Sequence, residues 1–240
     1  MKPCMTCQNK PIKNGIYKAH LEHFAEKNLP KDNKCFHKNG NKITISKLKP
    51  NKTIFYFATN ENDFTKTIKS QIIAYDNLKN SGVVRANKDG EANAYLKCPQ
   101  LYKNSDGNVY SRHMHFVYWN DEKKMWDKNL YTQQILCDVN EDFVKKHMKD
   151  SIIIDARTPE YYEKSHVNGA INLPYNKRWT EECVLEELKK GMKNYKGNKL
   201  VPIILYCAKG CNVADKLYHK LNKLGFYNTV HAPGNLSSLR

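Results

Sequence analysis

In Val201-Pro-Ile-Ile-Leu-Tyr-Cys207-Ala-Lys-Gly-Cys-Asn212-Val-Ala214 the apolar run Ile203 to Tyr206 is bounded by Pro202 and by a glycine-bearing loop. A short apolar run with such flanks reads as a fully buried strand of an α/β sheet. Beyond Asn212 the apolar positions Val213, Ala214, Leu217, Tyr218, Leu221 and Leu224 recur at helical spacing, and Gly225 stands where a helix C-terminus wants glycine. The loop from Cys207 to Asn212 therefore joins a strand end to a helix N-terminus. Backbone N–H groups there can turn inward as an anion-binding nest, and the helix dipole favours a thiolate over a thiol. The opposing reading is that Cys207 is an inert buried cysteine.

Working outward, Ile152-Ile-Ile-Asp155-Ala-Arg157 is a second buried strand with a charged pair at its end. It is followed by Thr158-Pro-Glu160-Tyr, His166-Val-Asn-Gly169-Ala-Ile-Asn-Leu173-Pro174 and, later, the Cys-x-x-Gly loop at Cys207. These elements, in this order over about the last hundred residues, resemble the rhodanese family. The resemblance implies a parallel sheet with flanking helices and sulfurtransferase chemistry. Sulfane sulfur would pass from an anionic donor such as thiosulfate to Cys207 as a persulfide, then to a thiol or protein acceptor, with no cofactor required. Cys207 would be the nucleophile. The backbone of Ala208, Lys209, Gly210, Cys211, Asn212 and Val213 would hold the anion, and the Lys209 side chain would steer it.

Arg157, at the neighbouring strand end, is a further candidate contact for an anionic donor. The alternative is that it and Asp155 fix the fold as an ion pair, and His166 is read as structural, closing the turn before Gly169. Cys211 is either a resolving thiol or a packing residue. Asn212 replaces the Thr or Arg that family loops carry at that position. A related phosphatase branch uses a loop one residue longer that ends in Arg. Without that bidentate clamp, sulfur transfer is favoured over phosphate ester cleavage. Family members also continue past the last strand with Gly-Gly and a Trp-bearing helix, where this sequence has Pro233-Gly234-Asn235 and a few residues more.

The 240 residues suffice for two domains with cores of their own. Forty Lys and Arg against 24 Asp and Glu give a formal charge of +16. The lysines are spread among asparagines from end to end, so a solvated surface is favoured over nucleic-acid binding. No run approaches the roughly 20 apolar residues of a membrane span, and the first residues lack the apolar core of a secretory signal. A cytoplasmic, reducing location is the expectation. The eight cysteines are then metal ligands, catalytic thiols or core residues before they are disulfides.

Residues 1–41 carry Cys4-x-x-Cys7, His20-x-x-His23 and Cys35-x-His37. A Cys pair with two residues between, followed by a His pair, can clip one tetrahedral zinc and lend order to a lysine-rich segment. The alternative is a leader followed by a short amphipathic helix with solvent-facing histidines.

From Ile43 to Cys137 the sequence takes on β character. Ile43-Thr-Ile45, Thr53 to Ala58, Gln71 to Tyr75, Ala92 to Leu96, His113 to Trp119 and Tyr131 to Cys137 are candidate strands of a β-sandwich. Residues two apart share a face, so His113 and His115 can present two imidazoles to one metal. The run from Asp89-Gly90 through Pro99-x-x-Tyr102, Arg112-His113-x-His115 and Thr132-Gln133 resembles the intradiol ring-cleaving dioxygenases, over about residues 85–137. That family binds ferric iron with two tyrosines and two histidines. The resemblance implies iron at Tyr102, His113 and His115. The family's first ligand tyrosine has no clear counterpart, since Tyr75 falls at its strand tryptophan. Cys98 and Cys137 near the site would shift the preference toward zinc or copper.

Asn140 is an N-cap for a helix feeding the Ile152 strand, which places a boundary near Asp138. Three domains are expected: 1–41 with its zinc motif, a sandwich over 42–138, and a rhodanese-like domain over 139–240. Three functions remain open: a sulfurtransferase, a non-catalytic rhodanese-like interaction module, and a metal-dependent sandwich with an accessory rhodanese-like domain.

Overall fold

The computed structural model describes residues 40–234 apart from 61–62, 76–77, 104–105, 193–194 and 209–210, together with 10–11, 34–35, 236 and 239. The zinc motif of Cys4, Cys7, His20 and His23 lies outside the described residues, as do Lys209 and Gly210. Two compact units divide the chain between Ile135 and Leu136.

The first unit is built of antiparallel strands. They are β1 (Lys10–Pro11), β2 (Lys34–Cys35), β3 (Asn41–Ile45), β4 (Thr53–Ala58), β5 (Ser81–Arg85), β6 (Ala92–Leu96), β7 (Tyr102–Lys103), β8 (Val109–Tyr110), β9 (His113–Asn120), β10 (Met125–Trp126) and β11 (Asn129–Gln134). Among the described residues the main sheet runs β1-β11-β9-β4-β5-β2, with β10 on β9 and with β3-β6 and β7-β8 as separate pairs. Alternation along β9 implies one solvent face, yet every residue from His113 to Trp119 is buried. An aromatic core of Phe55, Phe57, Tyr75, Tyr102, Trp119 and Trp126 accounts for one side of it.

The expected strand at Gln71 to Tyr75 is instead a single helical turn, α1 (Gln71–Ala74), whose first turn is capped by the Ser70 hydroxyl accepting from the Ile73 N–H. Four apolar residues are too few for periodicity to separate strand from helix, and the cap settles it.

The second unit is a parallel sheet, β13 (Ile171–Asn172), β12 (Ile152–Asp155), β14 (Ile203–Tyr206) and β15 (Thr229–Ala232) in that spatial order. Its helices are α2 (Glu141–His147), α3 (Pro159–Lys164), α4 (Glu181–Gly191) and α5 (Val213–Lys223). Asn140 caps α2 through a 2.9 Å bond from the Phe143 N–H, as its sequence implies. The core joins Ile154, Leu173 and Leu205 of the sheet layer to Val184 and Leu188 of α4 and Leu217 and Leu221 of α5. Parallel strands buried on both faces explain the unbroken runs Ile152-Ile-Ile and Ile203-Ile-Leu.

Candidate functional site

β12 and β14 pair in register, Ile152 opposite Ile203 through Asp155 opposite Tyr206, so their carboxyl ends lie side by side. In parallel α/β sheets ligands gather at that edge. Cys207 follows β14 directly and is 3% exposed. The chain then turns, the Cys211 N–H donating to the Ala208 carbonyl at 3.1 Å, and enters α5 after Asn212. The Asn212 side chain makes no capping bond. The Val213 N–H donates to Cys211 Sγ at 3.4 Å, so a sulfur takes the place of the usual capping oxygen.

Cys207 and Cys211 are joined by a disulfide, with Cα atoms 6.3 Å apart. Cys98 and Cys137 are disulfide-bonded too, and Cys183 is a free thiol. The ranking of disulfides behind metal and catalytic roles is corrected here. Pairing depends on Cα separations that spacing along the chain does not reveal. Cys98 and Cys137 are accordingly not thiolate ligands for a metal.

Asp155, Arg157 and Tyr206 form a cluster at the carboxyl ends of β12 and β14, with Asp155 and Tyr206 buried. Arg157 Nη2 lies 2.6 Å from Asp155 Oδ2 and 2.6 Å from the Ser165 carbonyl, and Arg157 Nε reaches both carboxylate oxygens. The Tyr206 hydroxyl donates to Asp155 Oδ2 at 2.6 Å and accepts from the Val167 N–H at 3.1 Å. The hydrogen bond to Asp155 raises the Arg157 pKa, and burial followed by the Asp155 bond raises that of Tyr206. The Arg157 guanidinium is thus turned onto Asp155 and the Ser165 carbonyl, forming the ion pair of the fold-fixing alternative. His166 stacks on Tyr162 with ring centroids 3.9 Å apart and donates from Nδ1 to the Tyr162 carbonyl at 2.9 Å.

A second cluster sits in the β unit. Tyr75 Oη and Tyr102 Oη lie 3.2 and 3.4 Å from His113 Nε2, and the two histidine rings are 4.8 Å apart. All four side chains are buried. His113 Nδ1 is 2.6 Å from the Ser111 carbonyl, and His115 Nδ1 is 2.9 Å from Thr132 Oγ1. A carbonyl only accepts, so Nδ1 of His113 carries its proton and Nε2 presents a lone pair. Nε2 of His115 is buried with no hydrogen-bond partner. Burial holds the His113 pKa down to about 4; burial and then repulsion from His113 hold that of His115 well below the ordinary imidazole value. Both imidazoles are therefore neutral near pH 7. Tyr75 was assigned from sequence to the family's tryptophan position, but it stands beside Tyr102 on the same imidazole. Among the described residues no three of His, Cys, Asp and Glu gather as they would around a metal ion.

The second unit is a parallel α/β domain with a cysteine loop at a strand end. Residues 140–234 match the family model of the rhodanese-like domain, and this segment is a rhodanese-like domain. Among solved structures the chain is similar to a single-domain sulfurtransferase of Saccharomyces cerevisiae, RDL2, at 22% identity, covering 44% of this chain and 89% of that one with a TM-score of 0.35. It is similar to a Bacillus halodurans protein at 27% identity, covering 43% and 70% with a TM-score of 0.33. The human single-domain sulfurtransferase TSTD1 is similar at 13% identity, covering 40% and 88% with a TM-score of 0.31. No curated protein sequence matches. None of these findings speaks for the dioxygenase resemblance. No described helix is long and apolar enough to cross a membrane.

Proposed function

We propose that the protein is a sulfurtransferase that moves sulfane sulfur from an anionic donor such as thiosulfate, through a persulfide on Cys207, to a thiophilic acceptor. The observation that carries this is the position of Cys207 at the carboxyl end of β14, in the loop that leads into α5. Reaction begins from the reduced pair, since the Cys207–Cys211 disulfide occupies the nucleophile. The Cys207 thiolate attacks the outer sulfur of thiosulfate, the S–S bond breaks, and sulfite leaves with the electron pair. Once reduction frees the Cys211 sulfur, backbone N–H groups at the head of α5, that of Val213 among them, would be available to stabilise the charge on the terminal sulfur. Asp155, Tyr206 and Arg157 act as positioning residues that hold the ends of β12 and β14. The pre-reduced protein should form thiocyanate from thiosulfate and cyanide, and Cys207→Ser should lower that rate by at least about a thousandfold. A reduced, folded protein with no activity above the variant would leave the domain as an interaction module.

One observation favours a second reading, in which the β unit holds a metal ion: the buried, unpartnered Nε2 of His115 beside His113, Tyr75 and Tyr102. The residues fit such an ion, because each Nδ1 is engaged, Nε2 of His115 has no partner, and the phenol oxygens that meet Nε2 of His113 could exchange those hydrogen bonds for bonds to the metal. Tyr75, Tyr102, His113 and His115 would hold it. A ferric ion would supply Lewis acidity and a phenolate charge-transfer colour. The chain excludes water from the site and keeps both imidazoles neutral. His115→Phe separates the cases. If the cluster is only polar core, removing an unsatisfied nitrogen should leave stability equal or raised by about 1 kcal/mol. If it is a metal site, iron added to the chelated protein should bind and colour the wild type and not the variant.

A further inference from the structure

Sulfur transfer to an outside acceptor makes no use of the Cys211 side chain. The turn at Ala208 folds it back on Cys207, and the disulfide shows that its sulfur reaches the Cys207 sulfur with β14 and α5 both formed. Its own sulfur receives the Val213 N–H at the head of an eleven-residue helix. An N–H donor and the positive helix end favour thiolate at that position. A thiol that gives up its proton readily is thus placed against the inner sulfur of any persulfide formed on Cys207.

We infer that Cys211 resolves the Cys207 persulfide within the loop, releasing hydrosulfide, so that the protein reduces sulfane sulfur to sulfide at the expense of a dithiol. The inference rests on the sulfurtransferase reading. In the resolving step the Cys211 sulfur forms a bond to Cys207 Sγ. The bond from Cys207 Sγ to the outer sulfur breaks, and the outer sulfur leaves with the electron pair and the proton that Cys211 gives up. Cys207–S–S⁻ and Cys211–SH become the Cys207–S–S–Cys211 disulfide and HS⁻. The two cysteines are oxidised and the outer sulfur is reduced. A dithiol reductant then exchanges with the disulfide and restores both thiols. Over the cycle thiosulfate and a dithiol give sulfite, hydrosulfide, the oxidised dithiol and a proton. The structure is the oxidised form that this cycle passes through.

The test is a single turnover. Full-length protein is reduced, freed of reductant without air, and given one equivalent of thiosulfate. Sulfite and sulfide are then assayed and the intact mass is recorded. The wild type should release both and finish two hydrogens lighter than the reduced protein. Cys211→Ala should release sulfite, retain one added sulfur, and free sulfide at least about tenfold more slowly. Cys211→Ser, checked for native circular dichroism, should behave alike and guards against a loop disturbed by Ala. A wild type that keeps the added sulfur as both variants do overturns the resolving role and leaves the sulfurtransferase reading intact. Failure of all three to release sulfite removes that reading, and the inference with it.

Discussion

At the scale of single residues, Asp155 is the charge on which the second unit depends. Its carboxylate has no exposed surface and is held by Arg157 and Tyr206. Removing one partner of a buried ion pair leaves a charge without compensation, so Arg157→Ala should cost about 3 kcal/mol in urea unfolding. A donor contact would behave differently: the variant would keep its stability and show a raised KM for thiosulfate. Tyr206 gives a pH signature. Its folded pKa lies above the ordinary 10.0, chiefly through burial. The unfolded chain therefore loses this proton first, so the stability contributed is complete below about pH 10 and is lost as pH rises toward the folded value. The slope from one such group is at most about 1.4 kcal/mol per pH unit. Urea midpoints from about pH 9 to about pH 11 should fall less steeply in Tyr206→Phe than in the wild type. Parallel curves would exclude Tyr206 as the titrating group.

At the scale of elements, local chemistry and long-range packing divide the work. α2 and α4 are set by their caps, Asn140 to Phe143 and Thr180 to Cys183. Asn140→Ala should cost about 1 kcal/mol. The junction of α4 with β13 depends on Gly191, where an added Cβ would run into the branched Ile171 side chain. Gly191→Ala gains at most about 1 kcal/mol of helix propensity and meets an overpacking cost of about 1–3 kcal/mol, so a net loss is expected in thermal unfolding. An equal or higher melting temperature would show that Ile171 yields. The element misread from sequence, α1, illustrates the reverse. Its apolar side chains fit a strand pattern, while one hydroxyl at Ser70 and the burial of Ala74 and Tyr75 hold a turn.

At the scale of the whole molecule, two compact units each have an apolar cluster of their own. Residues 136–240 are about the size at which one core sustains a domain. Expressed alone, they should unfold cooperatively and, when reduced, release sulfite from thiosulfate. A fragment without a cooperative transition would mean that the remainder of the chain is needed for its stability. Much of this unit was legible in the sequence. The apolar runs Ile152 to Ile154 and Ile203 to Tyr206, the helical period after Asn212 and Gly225, whose φ of +97° suits glycine, are short-range signals written in consecutive residues. The strand-loop-helix setting of Cys207 follows from them. The sequence alone also paired His113 with His115, because alternate residues of a strand share a face. Only the tertiary structure brought Tyr75 to His113 across 38 residues, turned Arg157 onto Asp155 rather than outward, joined Cys207 to Cys211 and covered both faces of β9. Periodicity records which way a side chain points from its own element. Which distant group it meets there is decided when the elements pack, and that is where the partners of Tyr75, Arg157 and Cys211 were chosen.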